Sequence, residues 1–219
     1  MDKKLIKEIY ISVDVEADGP VPGRYSMTAL GAVVAGYMTE SGEVVKLDVT
    51  APENRFYAEI APISDEWVPE AMKVGVFTGF DTEASKLDTT GELRRAYIIA
   101  NGEDPEEAMT RFAKWVEDKK AEHDAKGAIF AAYPLGFDWM WTYWYLVTYS
   151  SIESPFGHSR HIDIKTLHAA RAKSLIVRSI KTNIPRSLRS KLPHLHLAWA
   201  DAAEQGELLM NILEWEGKS

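Results

Sequence analysis

Between Glu8 and Glu16 the chain alternates without a break, with Ile9, Ile11, Val13 and Val15 on one side and Glu8, Tyr10, Ser12, Asp14 and Glu16 on the other. A period of two belongs to a strand, and it puts the carboxylates of Asp14 and Glu16 on the same face. Two anions held side by side on a sheet are costly to bury unless a cation lies between them. Hard divalent cations such as Mg²⁺ and Mn²⁺ take oxygen ligands of this kind. By itself a D-x-E pair is a short motif, and most such pairs mark a strand that faces solvent.

The rest of the chain reads as alternating strands and helices. Asp18-Gly19-Pro20-Val21-Pro22-Gly23 breaks the first strand into a loop. Further strands are expected over Ala29–Met38, over Val44–Val49 after a Ser41-Gly42 hairpin turn, and over Phe56–Ile60. The stretch from Ser64 to Gly102 carries turn signals and one short helix near Pro69–Val74. A helix then opens at Asp104, with Pro105 in its first position and Glu107 completing a capping-box-like pattern. Its apolar stripe is Ala108, Phe112, Trp115 and Val116. A buried strand over Ala128–Tyr133, an aromatic helix over Asp138–Tyr149, a short strand over His161–Ile164 and a helix over Leu167–Lys173 follow. A last helix spans Trp199–Trp215, with Leu208, Leu209, Ile212 and Leu213 facing the core. The pattern predicts one α/β domain over residues 1–219.

Composition narrows the partners. The chain has no cysteine, which removes zinc–thiolate sites and thiol nucleophiles. No apolar run approaches the roughly 18 residues of a membrane span, and the N-terminus lacks the apolar core of a signal peptide. A cytoplasmic protein without a membrane partner is the expectation. The net charge of −8 argues against nucleic acid until its distribution is read. From Arg160 to Lys191 stand nine basic residues against the single acid Asp163, so that window carries +8 and the remainder −16. A basic segment on an acidic body suits a protein that grips a phosphate backbone beside a cluster of carboxylates.

Three motifs along the chain are consistent with that picture. Asp14-x-Glu16 lies on the first strand, Phe137-Asp138 follows a buried strand, and His196-x4-Asp201 enters the last helix. Together they resemble the three motifs of the DEDDh, or DnaQ-like, exonucleases, and the resemblance runs from about Ile9 to Leu213. Ala29-Leu30-Gly31-Ala32-Val33 looks like that family's second strand, and Ile162-Asp163 with Thr166-Leu167 is similar to a segment between its second and third motifs. Two departures stand out. Ala17-Asp18-Gly19 and a proline-rich loop replace the family's hydroxyl residue and short glycine turn, and Pro134 stands where an asparagine is frequent.

The resemblance implies a ribonuclease-H-like fold, a central mixed β-sheet flanked by α-helices. It implies that Asp14, Glu16, Asp138 and Asp201 bind two divalent cations, Mg²⁺ or Mn²⁺, and that His196 is the general base. The expected reaction is 3′→5′ removal of nucleoside 5′-monophosphates from a single-stranded RNA or DNA 3′ end, RNA being slightly favoured by analogy. Metal pairs suit this displacement because they activate a water and stabilise the departing 3′ oxygen. An imidazole accepts the water's proton near neutral pH. His194 competes for that role, but the spacing to Asp201 fits His196. Asp18 reads as a turn residue, Asp163 as structural, and the aromatic helix as core with room for a homodimer contact. The alternatives are a hydrolase of short oligonucleotides or small phosphodiesters, and a catalytically silent nucleic-acid-binding module of the same fold.

Overall fold

A computed structural model describes residues 6–80 and 82–217. In chain order it contains β1 (Lys7–Ala17), β2 (Met27–Thr39), β3 (Val44–Lys46), β4 (Arg55–Glu59), α1 (Pro69–Met72), α2 (Thr82–Leu87), α3 (Glu92–Asn101), α4 (Pro105–Glu122), β5 (Gly127–Ala132), α5 (Leu135–Tyr149), β6 (His161–Asp163), α6 (Ile164–Arg171) and α7 (Ala198–Glu214). The strands form one mixed sheet in the order β3-β2-β1-β5-β6, with β4 also paired to β2. β1 runs antiparallel to β2 and parallel to β5, and β5 runs parallel to β6. Among the described residues no helix is long and apolar enough to cross a membrane.

β1 is central, and helices cover both of its faces. Ile9, Ile11, Val13 and Val15 pack with Phe112, Ala113 and Val116 of α4 and with Trp141 and Tyr145 of α5. On the opposite face Tyr10 joins Val33 and Ala35 of β2 under Leu208, Leu209 and Ile212 of α7. Ser12 is therefore fully buried as well, so the polar half of the β1 alternation faces solvent only at Glu8 and is half-buried at Asp14 and Glu16. Helix α7 approaches the sheet closely because the crossing points lack side chains. A Cβ on Gly31 would lie 2.1 Å from the Trp199 nitrogen, and one on Gly206 would lie 3.1 Å from the Ala35 Cβ. The first of these contacts sets the height at which α7 begins above β2.

Several boundaries depart from the expected ones for local reasons. β3 ends at Lys46, short of Val49, because the Asp48 carboxylate captures the Thr50 N–H and hydroxyl in a turn. Helix α5 begins three residues before Asp138, since Asp163 Oδ2 accepts the Leu135 N–H at 2.7 Å. The other oxygen of Asp163 accepts the Thr166 N–H at 2.6 Å and caps α6, so Ile164 opens a helix instead of closing a strand. Asp104 caps α4 as anticipated, accepting from the Glu106 and Glu107 N–H groups.

Helices α2 and α3 were absent from the expected set. The buried residues of α3 are Arg94, Arg95 and Ile98, while Leu93 and Ile99 are exposed. Its inward face is thus charged, which hides the usual apolar stripe. Arg94 pairs with Asp88, and Arg95 pairs with Asp18 and donates to the Ser64 carbonyl. Asp18 Oδ1 also accepts the Ser26 N–H at 2.6 Å. Asp18 is accordingly a buried anchor that fastens the loop after β1 to α3.

Candidate active site

The sheet opens where the acidic residues stand. β5 leaves β1 after the Ser12–Ala131 pair, whereas β2 follows β1 as far as Ala17. On the edge that β5 vacates, the Val15 N–H donates to Asp138 Oδ1 at 3.0 Å. Asp138 lies in the first turn of α5 and is buried. Its carboxylate is thereby held against the β1 backbone at Val15, the residue between Asp14 and Glu16 in sequence.

Asp201 arrives from the opposite side, in the first turn of α7, and is fully buried. Its two oxygens accept the N–H groups of Leu195 and His196 at 2.8 and 2.9 Å. These bonds fold the loop before α7 back over its own first turn. One oxygen each from Asp14, Glu16 and Asp201 lie within 4.8 Å of one another. Asp138 is not within that set, although its charge acts on both Asp14 and Glu16.

Crowding these anions has the expected electrostatic result. Burial drives Asp14 well above the usual carboxylate range, with the charges of Asp138, Glu16 and Asp201 adding to it. Burial, then Asp201 and Asp138, raises Glu16 to about 8, and burial raises Asp138 to about 7. Carboxylates that gather in a cleft and resist ionisation when alone suit a divalent cation, which stabilises their charged forms.

His196 is exposed and sits at the edge of this cluster. Its backbone is left-handed, with φ of 55°, a conformation that costs a non-glycine residue roughly 1–3 kcal/mol and persists where the surroundings enforce it. Here the enforcement is visible, because the His196 N–H is held by Asp201 and its carbonyl accepts the Val76 N–H at 2.8 Å. The His194 ring lies beside it, with centroids 4.6 Å apart.

A search against known protein families finds no match. The 3′–5′ DNA exonuclease Cap18 of Escherichia coli is 31% identical over 204 residues, a span covering 92% of this chain and 90% of that protein. The chain belongs to the DEDDh 3′–5′ exonucleases. Two solved structures bear out the ribonuclease-H-like fold. The nuclease domain of 3′hExo, described as a DEDDh family member bound to rAMP, is 13% identical with a TM-score of 0.57, covering 100% of this chain and 98% of that one. A 3′-exonuclease that recognises the histone mRNA stem-loop is 12% identical with a TM-score of 0.58, covering 97% of this chain and 65% of that one. At these identities the two likenesses show the fold alone.

Three residues of this exonuclease's site were not singled out from the sequence. Gln205 donates from its amide to Asp14 Oδ1 at 2.6 Å and accepts the Tyr133 N–H at 2.8 Å. It lies one turn after Asp201 on the same helix face, a spacing that could have signalled it. Lys181, from the basic segment, pairs with Glu204 and draws Asp14 and Asp138 back towards ionisation. Glu204 in turn stands 3.2 Å from His194 Nδ1. Neither Lys181 nor Glu204 belongs to a sequence motif, because the fold alone brings them to the cleft.

Eight of the nine basic residues of that segment divide in two, Lys165 being half-buried on α6. Arg160, Arg171 and Arg189 spend their guanidinium groups on backbone carbonyls, and Lys181 on Glu204. Lys173, Arg178, Arg186 and Lys191 are exposed, and among the described residues their side chains make no hydrogen bond or ion pair.

Proposed function

We propose that this exonuclease removes nucleotides from the 3′ end of single-stranded DNA, with Asp14, Glu16, Asp138 and Asp201 holding two divalent cations and His196 acting as general base. The observation that carries the reading is the convergence of Asp14, Glu16 and Asp201 oxygens within 4.8 Å of one another beside an exposed histidine. Asp138 completes the set on the other flank of β1. A carboxylate has about four acceptor positions, so its bond to the Val15 N–H leaves it able to serve as a ligand. The oxygen-only character of the four side chains favours Mg²⁺ or Mn²⁺.

When bound, such cations act as Lewis acids on the scissile phosphate and lower the pKa of water. The protein's own groups do the rest. Gln205 fixes Asp14, the Leu195 and His196 N–H groups fix Asp201, and the Val15 N–H fixes Asp138. The His196 imidazole accepts the proton of the attacking water, and nucleoside 5′-monophosphates leave.

DNA is preferred over RNA in this reading because the relative of 31% identity is a DNA exonuclease, which outweighs the lean towards RNA drawn from analogy alone. The exposed, unpaired Lys173, Arg178, Arg186 and Lys191 favour a strand over a small phosphodiester, since only a strand offers phosphates to them. Complete retention of the four carboxylates and the histidine speaks against a silent binding module.

The test uses 5′-labelled single-stranded DNA and RNA of equal sequence with Mg²⁺, Mn²⁺ or EDTA, for the wild type and Asp14→Ala. The expected result is a ladder shortening from the 3′ end of DNA, present with metal and absent in EDTA and in the variant. Cleavage that survives in Asp14→Ala, or faster shortening of the RNA strand, would contradict the proposal.

A further inference from the structure

The His194 imidazole has no part in the proposed hydrolysis, yet it stands with His196 and Asp201 as a ligand set beside the acidic cluster. His194 Nδ1 lies 3.2 Å from Asp201 Oδ2 and 3.2 Å from Glu204 Oε2. The His194 and His196 rings meet edge to face, their centroids 4.6 Å apart. One ligand atom each from His194, His196 and Asp201 lie within 4.8 Å of one another. Both histidines are exposed, so the group is reachable from solvent, while Asp201 is buried and fixed by two backbone N–H groups. The left-handed backbone at His196 is part of this juxtaposition, since it reverses the chain between the two rings and the helix.

We infer that His194, His196 and Asp201 constitute a second metal site, one that takes zinc. Two imidazoles and a carboxylate with an open position are a donor set that zinc adopts, at bond lengths of about 2.0–2.1 Å. Tetrahedral bonds of that length place neighbouring donor atoms roughly 3.3–3.4 Å apart, close to the 3.2 Å between His194 Nδ1 and Asp201 Oδ2. Glu204 Oε2, at the same distance from His194, is taken by Lys181, which leaves three protein donors and an open position. Nitrogen ligands separate this site from the acidic one, because imidazole favours zinc over Mg²⁺ and Mn²⁺.

The site has a consequence for cleavage that rests on the proposed roles of His196 and Asp201. A zinc-bound imidazole has no lone pair left to accept a proton. Asp201 belongs to both ligand sets, so zinc also competes for a carboxylate of the acidic cluster. Zinc therefore switches the exonuclease off, and a chelator selective for zinc restores it.

The test begins with the full chain stripped of metal, carrying Asp14→Ala to weaken the acidic cluster, and titrated with Co²⁺. Visible d–d bands of four- or five-coordinate cobalt are expected, and Zn²⁺ should displace them. Adding His194→Ala should weaken binding at least about 100-fold, a lost ligand costing no less than the roughly 10–100-fold typical of groups that merely orient one. In the cleavage assay, the ratio of rates with and without added Zn²⁺ should fall steeply for the wild type and stay near unity for His194→Ala. Zinc or cobalt bound equally well with and without His194 would overturn the site, as would loss of the bands in Asp14→Ala alone. A protein that shows the His194-dependent bands but cleaves no strand would refute the exonuclease roles and support the zinc site.

Discussion

The side-chain amide of Gln205 spans 191 positions of sequence to donate to Asp14 Oδ1 at 2.6 Å, while its carbonyl accepts the Tyr133 N–H. One helix thus supplies a carboxylate of the cluster, Asp201, and four residues later the group that orients its partner on β1. Metal ligands depend on such support for their rotamers.

Gln205→Leu keeps the size of the side chain and removes both bonds. Cleavage should slow by about 10–100-fold, the usual effect of losing a group that orients a ligand. The Tyr133 N–H loses its partner too, at a cost of about 1–3 kcal/mol. Single-turnover rates across a Mn²⁺ titration, together with a thermal melt, check both effects. Recovery of the rate at high Mn²⁺ would identify the defect as one of metal retention.

The raised carboxylates make stability depend on pH in a definite direction. Glu16, lifted to about 8, and Asp138, lifted to about 7, bind protons more tightly in the folded, metal-free protein than in the unfolded chain. The stability this contributes is complete below the ordinary carboxylate range and is lost as the pH rises through 7 to 8. Metal-free Tm should therefore decline from about pH 6 to about pH 8.5, and Glu16→Gln should flatten that decline. Added Mn²⁺ must displace those protons, so its increment in Tm should be larger at the upper end of the range. Differential scanning calorimetry at matched ionic strength reads all three.

Gly31→Ala tests how α7 is seated. Its new methyl would meet the Trp199 nitrogen at 2.1 Å, so the start of the helix has to lift, carrying Asp201 with it. A displacement near 1 Å at a catalytic group can cost about 100-fold in rate, while overpacking of this kind costs roughly 1–3 kcal/mol in stability. The expected variant is folded, moderately less stable and nearly inactive. Wild-type turnover in that variant would show that the helix start tolerates movement.

His196→Ala should slow the chemical step by on the order of 10²–10⁴, the range for a general base. His196→Gly gives the informative comparison, because glycine accepts the left-handed φ of 55° without strain. It should be at least as stable as His196→Ala and no more active. Thermal melts with single-turnover kinetics separate the backbone contribution from the imidazole's.

Neutralising Lys173, Arg178, Arg186 and Lys191 to Gln should leave turnover of a dinucleotide unchanged and lower turnover of a long strand. Every phosphate that is no longer neutralised should flatten the slope of log affinity against log salt by about 0.7 on single strands. Fluorescence anisotropy with labelled oligonucleotides over a salt series measures it.

The parts legible in the sequence are those where one local rule governs. The two-residue period of β1, the Asp104 cap of α4 and the apolar face of α7 each follow from neighbours along the chain, and the structure has them close to the expected bounds. Helix α3 escaped because its inward face is Arg94 and Arg95, whose burial makes sense only once Asp88 and Asp18 are in place. Asp18 escaped for the same reason: in sequence it looks like a turn former, and its arginine lies 77 residues away. In the cleft, the acidic residues carry a motif and Gln205 shares a helix face with Asp201, whereas Lys181 and Glu204 are brought there by the crossing of α7 over the sheet and by the basic segment. Spacing reveals residues that share an element. It does not reveal residues joined by topology.

The fastening of Asp18 to Arg95 also governs how the molecule comes apart. The stretch that carries α1 and α3 rests on the sheet and the start of α7 through a small apolar group, Ala29, Met72, Phe77, Ile98 and Ala198, and through the buried pair of Arg95 with Asp18. The main sheet is clamped instead by extensive apolar layers on both faces. A unit with little apolar surface behind it opens at lower free energy than the body it covers. In native-state hydrogen exchange, the amides of α3 should exchange as a cooperative block well before those of β1. Strong denaturant should be needed to expose the strand that bears Asp14 and Glu16, so the acidic cleft outlasts its own cover.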